Sequence, residues 1–243
     1  MELKEMIDKR RSVRKYTGIP VDDACLEKIK AFAASMKPLY PHIRVHSQIV
    51  TKDQVRFYFP WKTPQLIAIF SEKKEGYLEN VGFLFQQLDL YLQSLGLGSC
   101  WLGLGKLKND DVALDAADGL EFVILLAFGH PEGNARRTGA GEFQRKTMSE
   151  ISDQNDPRLE CARLAPSSTN SQPWYFTHEG ETIHAYCSHA GLLRHAMLGT
   201  MNKIDMGIAL AHLYVENPDT FRFFQAEAPA ALSGHHYTGS FTL

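Results

Sequence analysis

The chain has 243 residues, with 26 Lys+Arg against 28 Asp+Glu, a formal charge of −2, and a hydrophobic fraction of 44%. That balance excludes a disordered chain, which would lack the apolar surface to offset its ordering entropy, and argues against a dedicated nucleic-acid binder. No apolar run approaches the roughly 20 residues of a membrane helix. The N-terminal stretch is polar, without a signal-peptide core. The four cysteines, Cys25, Cys100, Cys161 and Cys187, are far apart and show no zinc spacing, so buried reduced thiols in a cytoplasmic protein, and no metal, are expected.

Leu3, Met6 and Ile7 sit at helical spacing ahead of a basic run from Lys9 to Lys15. Asp22 or Asp23 can cap a helix with the stripe Leu26, Ile29, Phe32 and Ala33, ending near Ser35. Ile43–Val50 and Leu66–Phe70 read as strands. Gly76–Leu95 is the longest helical pattern, with Val81, Leu84, Phe85, Leu88 and Leu92 on one stripe, stopped by Gly96-Leu97-Gly98. Cys100–Leu104 is an apolar segment, and Asp110–Ala117 a short helix. Glu121–Phe128 reads as a strand closed by Gly129 and Pro131.

Pro131–Pro157 lacks apolar periodicity and reads as a connector. A short helix is expected over Pro157–Leu164, then strands Trp174–Thr177 and Thr182–Tyr186 around a turn at Glu179-Gly180. His189–Val215 is mainly helical, with a break expected near Gly199, and Thr220–Gln225 reads as a closing strand. The mixture gives an α+β fold.

The order of elements recurs. Arg10-Arg11-Ser12 is matched by Arg145-Lys146-Thr147, and Ala33-Ala34-Ser35 with Pro41 by Ala165-Pro166-Ser167 with Pro173. The helix around Gly82 and Leu88 is matched by the one around Gly207 and Leu213, and Phe122–Phe128 by Phe221–Gln225. Together these suggest a duplicated unit, with halves 1–140 and 141–243 forming one compact whole, and a duplication can imitate a two-fold dimer.

Three segments carry chemistry. Arginine forks in Arg10-Arg11-Ser12-Val13-Arg14 suit phosphate oxygens, with the Ser12 hydroxyl as a further donor; alone, such a run also reads as a solvated basic face. Pro166-Ser167-Ser168-Thr169-Asn170-Ser171-Gln172-Pro173-Trp174 packs hydroxyls and amides between two prolines, suited to the edge of a planar heterocycle, though composition alone favours a capping loop. The glycines of Gly96–Gly103 allow close approach to a ligand or tight strand entry, but Trp101 breaks the dinucleotide fingerprint. Ser or Cys nucleophile signatures and paired metal ligands are missing from the sequence.

The basic segment Arg10–Tyr16 and the segment Ala165–Phe176 resemble the nitroreductase family of FMN-dependent oxidoreductases. Ser94–Gly103 and Phe122–Pro131 resemble two further segments of that family. The resemblance implies an FMN cofactor reduced by NAD(P)H and reoxidised by an electron-poor acceptor such as a nitroaromatic or a quinone. Chemistry at the flavin N5 needs no side-chain acid or base, so no catalytic residue is assigned. The alternative is a non-catalytic flavin-binding or storage protein of the same fold; a flavin-free interaction module is a third reading.

The sequence departs from the family in the place of its motifs. The early position of the serine-asparagine motif holds the degenerate Ala33–Pro41, and the second basic motif is reduced to Arg145–Glu150. Family members are dimers whose flavin sites draw on both subunits, so the chain resembles a fused pair retaining one complete site. On this reading Arg10, Ser12 and Arg14 hold the FMN phosphate and ribityl chain, with Arg11 close by, and Arg136 or Arg137 reaches the same phosphate. Pro166, Ser167, Ser168 and Asn170 line the isoalloxazine, and the backbone at Leu102 and Gly103 approaches its N5 and O4. Asn202 and Lys203 fit the lost site. A monomer is expected, with a homodimer as the other arrangement.

Overall fold

The computed structural model describes residues 2–58, 61–108, 119–189, 195–227 and 229–243, with backbone only at 195–198. The short helix expected over Asp110–Ala117 lies outside the described residues. The chain forms two compact units, the first made of Met1–Tyr77 and Leu88–Gly139, the second of Leu78–Gln87 and Ala140–Leu243. Compared with a single cut near residue 140, the second unit gains Leu78–Gln87.

In the first unit a 3-10 turn over Leu3–Met6 precedes α1 (Asp23–Ser35), whose N-terminus is capped by Asp22 accepting the Cys25 N–H at 2.9 Å. β1 (Val45–Thr51), a short β2 (Val55–Arg56) and β3 (Gln65–Ser71) follow. Then come α2 (Tyr77–Ser94), β4 (Gly98–Leu102), β5 (Lys106–Leu107) and β6 (Glu121–Gly129). The main sheet is antiparallel in the order β1-β3-β6-β4, and β2 pairs with β5 in a small ribbon. β3 and β6 run as near-continuous apolar strings because they occupy the sheet centre. Leu66, Ala68, Phe70, Leu125 and Ala127 join Val13, Tyr16 and Val50 in one buried cluster.

In the second unit α3 (Met148–Ile151), opened by a capping box between Thr147 and Glu150, and α4 (Glu160–Arg163) lead into β7 (Trp174–Glu179) and β8 (Thr182–Ser188). α5 (His195–Glu216), β9 (Arg222–Phe224) and β10 (His235–Thr242) complete it. Its sheet is antiparallel in the order β7-β8-β10-β9. The expected break near Gly199 is replaced by one continuous helix over the described residues 195–216.

Each sheet therefore runs strand, strand, helix, strand, strand along the chain, with its last strand inserted beside its second. By position, the counterpart of β6 is β10. The sequence pairing of Phe122–Phe128 with Phe221–Gln225 is corrected accordingly: Phe221–Gln225 contains the edge strand β9, which stands where β4 does. β10 escaped notice because its apolar content is low: its string HHYTGSFT is polar, and a bulge at Tyr237/Gly239 disturbs its alternation.

Leu78–Gln87 belongs to the second unit because its backbone touches α5 there. A Cβ at Gly82 would stand 2.0 Å from the Ile204 carbonyl oxygen, and one at Gly207 would stand 2.0 Å from that of Glu79. Two glycines, each facing the carbonyl three residues before the other, let the two helices meet backbone to backbone. Gln86 and His212 hydrogen-bond at 3.1 Å along the same contact. Phe83, Phe221 and Phe241 continue the core toward β10. All four cysteines are free thiols, three of them buried and Cys25 partly so. Among the described residues no helix is long and apolar enough to cross a membrane.

Candidate functional site

In the first unit the basic segment lies along the start of β4. Ser12 and Ser99 form a parallel bridge, and the Val13 N–H donates to the Ser99 carbonyl at 2.9 Å. Gly98 makes this possible, since a Cβ there would meet the Val13 side chain at 2.7 Å. Its missing side chain thus admits another strand segment, the tight-entry alternative of the two raised by the glycines.

The arginines then separate by environment. Arg10 is 1% exposed and its Nε donates to Asp89, itself 0% exposed, at 2.9 Å. Its Nη2 donates to the Ser12 hydroxyl at 3.1 Å. The Ser99 hydroxyl donates to the other Asp89 oxygen, and Gln93 donates to Ser99 at 2.9 Å and to the Arg11 carbonyl at 3.2 Å. Arg10 is thus paired with Asp89 and fixes the segment from inside. Arg11 and Arg14 are exposed, and Ser12 is half-buried between them.

Arg136 and Arg137 are half-buried in the same unit. Arg136 donates to the Gln93 carbonyl at 2.6 Å, and Arg137 to the Arg10 carbonyl. The Arg137 N–H also meets the Lys9 carbonyl at 2.8 Å. Arg137 thus ties the connector to the basic segment, and Arg136 ties it to the end of α2. Leu102 ends β4 with its side chain buried, and Gly103 opens an exposed turn.

In the second unit the loop from Pro166 to Pro173 is wound tightly. Thr169, Asn170 and Gln172 have φ of 52°, 57° and 48°, left-handed values that cost non-glycine residues energy unless side chains hold them. Those bonds are present. The Ser167 hydroxyl accepts the Gln172 N–H at 2.9 Å. The Gln172 amide accepts the Lys146 N–H at 2.7 Å and donates to the Asn170 carbonyl at 3.1 Å. Arg145 donates to the Asn170 amide oxygen at 2.7 Å and to the Ala165 carbonyl at 3.0 Å, while Asn170 donates to the Gln144 carbonyl at 2.9 Å.

Asn170 thus braces the loop, with its amide engaged at both ends. Arg145, read from the sequence as a degraded ligand, is the other half of that brace. Pro166 is buried, and Ser167 and Ser168 are half-buried. Asn202 is buried and donates to the Ser188 carbonyl at 3.2 Å, tying α5 to the end of β8.

Asp205 of α5 lies beneath the loop. It is 4% exposed, and its two oxygens accept the Ser168 N–H at 3.0 and 3.1 Å. Burial pushes its carboxyl up to about 8, against the opposing pull of the Ser168 N–H. Sequence reading missed both Asp89 and Asp205. The available signal was a lone acid inside an apolar helical stripe, which demands a buried partner.

A family model described as "Putative TM nitroreductase" matches residues 2–217. A solved structure described as a putative nitroreductase of Thermotoga maritima is 19% identical, with a TM-score of 0.67, over 99% of this chain and 92% of that one. A nitroreductase family protein of Clostridium difficile is 19% identical over 64% of this chain and 99% of its own, with a TM-score of 0.49. An FMN-dependent nitroreductase of the same organism is 18% identical over 60% and 97%, with a TM-score of 0.45. A comparison with curated proteins finds no match.

Proposed function

Since this chain belongs to the nitroreductase family, matched over residues 2–217, we propose that it is an FMN-dependent oxidoreductase passing electrons from NAD(P)H to a nitroaromatic, quinone or similar acceptor. The observation that carries the reading is the exposed pair Arg11 and Arg14 beside Ser12, on a backbone held rigid by the buried Arg10–Asp89 pair. Two guanidinium forks and a hydroxyl on a fixed segment fit a phosphate monoester.

When bound, FMN would supply the hydride-accepting N5. The protein's part is binding and orientation. Arg11 and Arg14 neutralise the phosphate, and Ser12 hydrogen-bonds to it. Arg137 keeps the connector against this segment, and Arg136 holds it to α2. The exposed turn at Gly103 offers main-chain donors with no side chain in the way. The half-buried Ser167 and Ser168 would provide a polar edge for a planar ligand, with the buried Pro166 behind them.

We further infer that the chain arose by internal duplication and keeps one flavin site. The equal strand order of the two sheets and the reciprocal contacts of Gly82 and Gly207 support this. A duplicated chain supplies its own second copy, which favours a monomer, and four free thiols suit the reducing cytoplasm.

The test is FMN titration of the protein followed by NAD(P)H oxidation with a nitroaromatic or quinone. Arg11→Ala with Arg14→Ala should weaken FMN binding at least tenfold, as expected for two charge-assisted contacts of about 1.5–3 kcal/mol each. Binding unchanged in that variant would contradict the phosphate assignment.

A further inference from the structure

The small ribbon of the first unit has no part in the binding scheme above. β2 and β5 pair antiparallel, with Val55 opposite Leu107 and Arg56 opposite Lys106. Val55 enters the buried cluster of this unit, and Phe57 and Leu107 pack against it. By the alternation of a strand, Arg56 and Lys106 share the outer face, and both are exposed. Like charges directly opposite one another are unfavourable, and no ion pair holds either side chain among the described residues. The other charges of the ribbon are turned to other uses. Lys52 stands over the Phe57 ring, 6.0 Å from its centre. Asp53 accepts the Thr51 hydroxyl at 2.5 Å and interacts with the Lys108 charge.

Apolar side chains gather at one end of this ribbon. Because the strands are antiparallel, the residues after Arg56 and those before Lys106 leave at the same end. There Tyr58, two residues past Arg56, is 83% exposed, and Leu104, two residues before Lys106, is 46% exposed. Among the described residues the large apolar side chains left exposed are Ile19, Tyr58, Leu104 and Phe224, so half of them fall at this end. An open aromatic ring beside two cations without a counter-charge suits a ligand with a planar base and a phosphate. The base stacks on the ring, and the arginine fork and the lysine ammonium take the phosphate oxygens. Leu104 directly follows Gly103, whose turn is assigned to the flavin ring.

We propose that the outer face of the β2–β5 ribbon binds the phosphorylated adenosine end of NADPH, with Arg56 and Lys106 on the 2′-phosphate and Tyr58 against the adenine. The ribbon then selects NADPH over NADH, which carries a hydroxyl where NADPH carries that phosphate and leaves the two cations without a counter-charge. The inference rests on the flavin reading for the role of the nucleotide as electron donor; the binding itself uses the first unit alone.

The experiment is calorimetric titration of the purified protein with adenosine 2′,5′-bisphosphate and with 5′-AMP. The bisphosphate should bind at least about tenfold more tightly, the lower range for charge-assisted contacts. Arg56→Gln with Lys106→Gln should bring the two affinities together without lowering Tm, because both side chains are exposed. Tyr58→Ala should weaken both nucleotides by a similar factor and keep their ratio. Equal affinities in wild type, or a ratio that survives the double variant, overturns the proposal. So does a single-stranded oligonucleotide that binds more tightly than either nucleotide and is lost in the double variant, which would make the ribbon a nucleic-acid surface.

Turnover with a quinone after FMN loading separates this inference from the flavin reading. In kcat/KM, NADPH should be preferred, and the preference should fall toward unity in the double variant. If neither donor is oxidised, the flavin reading fails, yet a bisphosphate preference confined to wild type upholds the nucleotide site. If both donors are oxidised equally and the bisphosphate binds no better than AMP, the flavin reading stands and the ribbon site falls.

Discussion

Arg10 and Arg14 are four residues apart and have opposite tasks. Arg10 is sealed against Asp89, so its removal strands a buried carboxylate. Arg10→Ala should therefore lose about 3–5 kcal/mol of stability in urea unfolding. Arg14→Ala, at an exposed position, should change stability by less than about 0.5 kcal/mol while weakening FMN. Asp205 gives a pH-dependent counterpart. Its folded carboxyl is raised from an ordinary 3.8 to about 8, so the folded state holds a proton that the unfolded chain releases. The stability this contributes is fully present below pH 4 and lost as pH rises to about 8. Asp205→Asn should flatten that fall in unfolding free energy between pH 4 and 8; an undiminished slope would assign it to other groups. The arginine run and the serine-rich loop were legible because they are dense local motifs. Their buried partners Asp89 and Asp205 were not, because each lies dozens of residues away on a helix whose pattern reads as plain apolar packing.

At the scale of elements, the contact of α2 with α5 depends on two absent side chains. Gly207→Ala places a methyl 2.0 Å from the Glu79 carbonyl, a collision with backbone that no rotamer relieves. It should lower stability by at least about 1–3 kcal/mol, visible as a reduced Tm. Gly141→Ala, with open space around it, should be near neutral. The long helices and the central strands β3, β6 and β8 were readable from periodicity and apolar runs. β10 was not, because a strand that is polar, glycine-containing and bulged carries no period-2 signal, and its central place in the sheet comes from pairing with β8 and β9. The sequence-based equivalence of Phe122–Phe128 with Phe221–Gln225 failed for the same reason: similar apolar content was matched where sheet position differs.

For the whole molecule, the two sheets share one strand order, and the family match extends across both units. We propose a single flavin site per chain, because the intact basic segment occurs once, at Arg10–Lys15, and the intact serine-rich segment once, at Pro166–Pro173. The most direct test is the absorption spectrum of the purified protein after FMN saturation, with the released cofactor identified and counted per chain. One FMN per chain is expected. Two per chain would show that Arg145–Glu150 and Ala33–Pro41 still form a working site, and none would remove flavin chemistry from this protein altogether.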